Sequence, residues 1–146
     1  MHPSIEFARK TALAYSAVCK PLCQTLNLPQ TAFDILMFLA NNPSYRTARD
    51  IVELRHIKAN LVSVNVDRLV QEGYLIRRPA PGDRRKTELL CTERAQPVIE
   101  QGRALQRGFY DSLFRGTDEA TRAAFFDTLQ AMEQNLDDLL TKGKLK

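Results

Sequence analysis

The chain has 146 residues, 44% hydrophobic and 26% charged, with a net charge of +4. That length and balance fit one soluble domain, or one compact unit with extensions, and no internal repeat or low-complexity tract interrupts the sequence. No stretch approaches the roughly 20 apolar residues of a membrane span. The opening His2-Pro3-Ser4, soon followed by Glu6, Arg9 and Lys10, lacks the apolar core of a secretory signal, so a cytoplasmic protein is expected.

The elements follow from apolar spacing and stop signals. Over residues 4–26, Ile5, Ala8, Ala12, Tyr15, Cys19, Leu22 and Leu26 recur every three or four positions, which predicts a helix with one continuous apolar seam. Pro21 lies inside it and removes a backbone hydrogen bond, so a kink is expected. Asn27-Leu28-Pro29 breaks the helix, with Pro29 in the first turn of the next. That next helix, 29–41, is apolar nearly all round and should sit in the middle of the domain. Thr47 with Asp50 three positions on is a capping box opening a short helix to about residue 54. After Arg55-His56-Ile57, a further helix runs from about Lys58 to Glu72, with Leu61, Val62, Val66, Leu69 and Val70 inward and Gly73 ending it.

Residues 74–78 and 86–91 read as two strands joined by a turn-rich loop, 79–85, making a β-hairpin. Five of the 21 basic residues and one of the 17 acidic ones fall within 77–86, while the rest of the chain balances at 16 of each sign. The cationic excess is thus concentrated in one turn, where it can act on a polyanion. Thr92 is placed to cap a helix over about 93–115, and Gly116-Thr117-Asp118 stops it and caps a last helix over about 118–141, leaving 142–146 as a frayed tail.

Three cysteines, Cys19, Cys23 and Cys91, without a second metal-like pair, argue against a zinc site, and no cofactor is expected. Cys19 and Cys23 stay open as thiol sensors beside their reading as buried core. An enzyme is the least expected class: there is no nucleophile–base set and no Gly-rich phosphate loop.

Short helix, tight turn, helix and basic hairpin is the layout of a winged helix-turn-helix. The fold class is therefore mainly α with a small β-hairpin wing, flanked by long N- and C-terminal helices. Residues 47–94 resemble the MarR family of bacterial transcriptional regulators. The likeness rests on Asp50-Ile51-Val52, on Leu61-Val62-Ser63-Val64-Asn65-Val66-Asp67-Arg68-Leu69, on Glu72-Gly73-Tyr74-Leu75, on the wing motif Asp83-Arg84-Arg85, and on Cys91-Thr92.

The resemblance implies a core at 29–92, with 4–26 and 93–141 as dimerisation helices of a homodimer. It implies binding to a pseudo-palindromic operator in double-stranded DNA, usually to repress, with release by a small aromatic or phenolic ligand. Residue by residue, Arg85 matches the arginine that enters the minor groove, and Asp83 its acidic brace. Arg84 and Lys86 match phosphate contacts, with Arg77 and Arg78 open between phosphate contact and a solvated strand end. Lys58, Asn60, Ser63, Val64 and Asn65 lie on or near the groove-facing half of the recognition helix. Asp67 and Arg68 match positions that steady helix and wing, and Arg68 is also a DNA-contact candidate. Tyr15, Phe33, Met37 and Phe109 are ligand-pocket candidates. A redox switch on the same scaffold, or a winged helix turned to protein partners, are the alternatives.

Overall fold

The computed structural model describes residues 2–143 and 145. Of the expected tail, Lys142 belongs to the last helix, and Lys144 and Lys146 lie outside the described residues. Helix α1 (Pro3–Leu26) begins where His2 Nδ1 accepts the Ser4 backbone N–H and Pro3 occupies the first turn, a position where its missing N–H costs nothing. It runs on through Pro21 and ends at Asn27, whose left-handed φ of 51° turns the chain. Helix α2 is Gln30–Asn41, and Pro29 stands just before it as the cap residue rather than within its first turn. Six of its twelve residues are buried. The other helices of the core pack around it.

Helices α3 (Ala48–Arg55) and α4 (Ala59–Gln71) follow, then strands β1 (Leu75–Ala80) and β2 (Asp83–Cys91). One apolar cluster joins Leu36 and Leu39 of α2, Ile51 of α3, Val62, Val66 and Leu69 of α4, Leu75 and Leu89 of the hairpin, and Val98 and Ile99 beyond it. A second joins Cys19 and Cys23 of α1 to Phe33 and Met37 on the other side of α2, with Tyr15, Leu22, Leu26 and Leu105 against it. The predicted α1 seam is therefore covered within the chain from Tyr15 onward, while Ile5, Ala8 and Ala12 stay exposed.

The entry to the long helix α5 (Gln96–Leu113) differs from expectation. Thr92 does not cap it: its hydroxyl donates to the Gly73 carbonyl (2.6 Å), tying the hairpin's two ends, and a 3-10 turn over Glu93–Ala95 leads in. Gly102 of α5 is buried against α2, and a Cβ there would run into the Met37 sulfur. The glycine lets the two helices approach.

The chain divides into two compact units, Met1–Phe109 and Tyr110–Lys146, so α5 spans both. In the second, Phe114 packs among Tyr110, Phe125 and Phe126 with ring centroids 4.7–5.4 Å away. Arg122 donates to the Phe114 carbonyl (3.2 Å) and the Thr117 hydroxyl (2.9 Å). Asp118 caps helix α6 (Glu119–Lys142) by accepting from the Thr121 N–H (2.8 Å). No residue of α6 is buried, and Met132, Leu136 and Leu140 are exposed.

Candidate nucleic-acid interface

The α3–turn–α4 pair is built from local signals. Thr47 accepts the Asp50 N–H (3.1 Å), while Asp50 accepts the N–H groups of Arg46 and Thr47 (both 3.0 Å), completing the capping box. Ile51 is buried and fixes α3 on the core. His56 closes the turn with a left-handed φ of 53°, an uncommon conformation for a side-chain-bearing residue. Lys58 precedes α4 without a side-chain cap, so the first N–H groups of α4 are left open in front of the helix.

Exposure along α4 sorts its candidates. Lys58, Asn60, Ser63, Val64 and Asp67 are exposed, opposite the buried Val62, Val66 and Leu69. Asn65 is not among them. It is 7% exposed, and its Nδ2 donates to the Leu61 carbonyl one turn back (2.8 Å), so its amide is used inside the helix. Leu61, expected inward, is instead 46% exposed beside Val64: it falls one position before the inward Val62 and on the opposite side of the stripe. Arg68 also leaves the set, because its guanidinium donates to the Asn27 carbonyl at the end of α1 (2.5 Å).

The hairpin corrects the expected long loop. The strands reach Ala80 and restart at Asp83, leaving only Pro81-Gly82 as the turn. Proline suits the first central position, and Gly82, with φ 79°, supplies the positive angle the second needs. The register pairs Arg78 with Glu88 and Pro79 with Thr87, then jumps to Ala80 with Asp83. Arg84, Arg85 and Lys86 consequently have no partner on β1 and form a bulge of three exposed cations. Such a bulge re-aims side chains. Asp83 Oδ1 accepts the Arg85 backbone N–H (3.0 Å), fixing the bulge at its start.

Arg77 and Arg78 are each engaged within the chain. Arg77 pairs with Asp67 of α4, linking helix to wing. Arg78 Nε donates to Glu88 (3.1 Å), and Arg46 reaches the same carboxylate at 3.9 Å. The Leu89 N–H also donates to the Arg46 carbonyl (2.6 Å), so the α2–α3 loop runs beside the base of the wing. Glu88 and Arg46 were not singled out from the sequence. Only the hairpin register brings them together.

Two of the four ligand candidates are core, while Tyr15 and Phe109 are half-buried. Phe33 and Met37 are sealed, and Tyr15 stacks edge-on to Phe109 (5.3 Å) and accepts from Gln106 Nε2 (3.1 Å). A cavity of about 490 Å³ lies elsewhere, at the α1–α2 junction between Lys20, Cys23, Gln24, Gln30 and Arg68, and none of the four lines it. Cys19 and Cys23 are buried, and burial pushes both thiols up, Cys23 to about 11. A protonated, covered thiol is a poor nucleophile toward oxidants, which weighs against the redox alternative.

No helix among the described residues is long and apolar enough to cross a membrane. A family model described as the MarR family matches residues 26–86. No curated protein matches the chain. Among solved structures, it resembles a MarR-family regulator from Listeria monocytogenes complexed with 26mer DNA, with a TM-score of 0.83 at 19% identity over 100% of this chain and 99% of that one. It also resembles a MarR protein from Peptoclostridium difficile (TM-score 0.82, 15% identity, 98% of this chain and 93% of that one). A third is BpsR of Bordetella bronchiseptica, whose DNA binding is regulated by 6-hydroxynicotinic acid (0.70, 21%, 90% and 99%). At these identities the likeness is one of fold, the winged helix-turn-helix, and the family match spans α2, the helix pair and most of the wing, so that segment is similar to the MarR family.

Proposed function

We propose that the chain acts as a homodimer on a pseudo-palindromic operator, with α4 of each protomer in the major groove and each wing at the neighbouring minor groove. The bulge of Arg84, Arg85 and Lys86, held by Asp83, carries this reading. Three cations are exposed on a braced loop, with the arginines behind them already paired. Arg85 is assigned to the minor groove, where a narrow groove concentrates negative potential. Arg84 and Lys86 are assigned to phosphates, and Lys58, Asn60, Ser63 and Val64 to the major groove. Asp67 holds the wing to α4 through Arg77.

Repression with ligand release is part of the same proposal, supported by the ligand-regulated relative. The cavity beside Arg68 suits a small ligand better than the packed Phe33 and Met37. A cytoplasmic location fits a DNA-binding role.

The test is selection of bound sequences from random duplex DNA, followed by salt titration of the wild type and Arg85→Ala. The wild type should bind with an affinity that falls steeply with salt. Arg85→Ala should bind about ten- to a hundredfold more weakly at unchanged thermal stability. Equal affinity of the two proteins would remove Arg85 from the interface.

A further inference from the structure

We infer that α4 chooses its sites through the 5-methyl groups of pyrimidines, read by Leu61 and Val64. The inference rests on the DNA-binding reading above and deepens it to the class of base pair selected.

Val64 is 66% exposed and Leu61 46%. They stand three positions apart in the first two turns of α4, so their Cβ atoms are about 5–6 Å apart on one face. The helix does not need them for its core, which Val62, Val66 and Leu69 already supply. Asn60, also exposed, is one turn from Val64 on the same face. From Ala59 to Asp67 that helix carries no arginine or lysine, the side chains that most often read guanine through O6 and N7; Lys58, the one such groove-facing side chain, stands at its cap, before the face of Leu61 and Val64. Asp67 is the one acid on this face, and Arg77 pairs with it, so the face is not left anionic.

An exposed apolar pair with no charge of its own needs an apolar partner. The surroundings decide which. The neighbouring wing tip offers Arg84, Arg85 and Lys86 to solvent, which complements a polyanion and not an apolar protein surface. On the major-groove edge of DNA, the methyl of thymine is the apolar feature among donors and acceptors. Asn60 adds the adenine-reading amide beside it. Asparagine for adenine and leucine and valine for thymine together select A·T pairs at the centre of each half-site.

The experiment replaces each thymine of a selected duplex, one at a time, by uracil, which removes only the methyl. At one or two positions per half-site, wild-type affinity should fall about three- to fivefold, the scale of one buried methyl group. In Leu61→Ala or Val64→Ala the same uracil should cost nothing further, a non-additivity that assigns the methyl to that side chain. Both residues are exposed, so thermal unfolding should match the wild type. Uracil duplexes bound as tightly as thymine duplexes, or a uracil loss that persists in both variants, would overturn the inference and leave DNA binding standing. Absence of any salt-sensitive duplex binding would instead bring down the function proposed above, and this inference with it.

Discussion

Charge at the level of single residues is sorted before any partner arrives. Arg77 and Arg78 contribute to the excess in 77–86, yet each faces a carboxylate, Asp67 and Glu88. The exposed Arg77–Asp67 pair is worth about 0–1 kcal/mol, so it orients the wing more than it stabilises it. Buried groups show their environment through pH. Burial raises the Tyr15 hydroxyl from 10.0 to about 12 and the Cys23 thiol from 9.0 to about 11. An acid whose folded pKa is raised ionises first in the unfolded chain, so its contribution is complete below pH 9 and lost as pH climbs toward 12. Denaturant midpoints should therefore fall from about pH 9 upward, and the Tyr15→Phe/Cys23→Ala variant should show a shallower fall; an equal slope would mean that neither group is coupled to folding. At this scale the sequence told the residue types and not their facing. Asn65 looked available because asparagine is polar, but its amide reaches a carbonyl one turn back. Leu61 looked buried because it is apolar, but the stripe begins one position later.

Helices were legible because caps and breakers are local. Thr47 and Asp50 announced α3, and Asn27 and Gly73 mark left-handed ends. Thr47→Ala should cost about 0.5–2 kcal/mol of unfolding free energy, measured by urea denaturation, with loss concentrated in hydrogen-exchange protection of α3. Gly102→Val tests the α2–α5 approach: its side chain meets Met37 and the Phe33 ring, and overpacking of this kind costs about 1–3 kcal/mol. A thermal midpoint equal to the wild type would mean that the helices separate freely there. The strands were less legible. Proline at 79 and 81 reads as loop, yet the register jump lets Pro79 sit at a bulge where no ladder bond is demanded.

For the whole molecule, the exposed apolar residues are the clearest statement. Ile5, Phe7, Leu13 and Val18 on α1, and Met132, Leu136 and Leu140 on α6, face solvent in the single chain. A helix of 24 residues that buries nothing is expected to find a partner, and a second copy is the partner proposed. Leu136→Lys/Leu140→Lys should shift the sedimentation coefficient from dimer to monomer and abolish tight operator binding, since two half-sites are then no longer engaged together. A dimer that survives both lysines would put the contact elsewhere. Sequence alone could carry the length and periodicity of these helices, but not how much of each the chain itself would cover.

The skipped register at the wing tip has a consequence for how such a protein can change over time. The ladder from Leu75–Cys91 to Pro79–Thr87 closes before the tip begins, and the core residues Leu75 and Leu89 lie within it. Residues inserted or deleted between Asp83 and Thr87 alter the reach and charge of the tip without shifting that alternation by one. Fold and reach are thus separable: the hairpin's foot is bound by packing, and its end is free to be re-lengthened to suit a different groove.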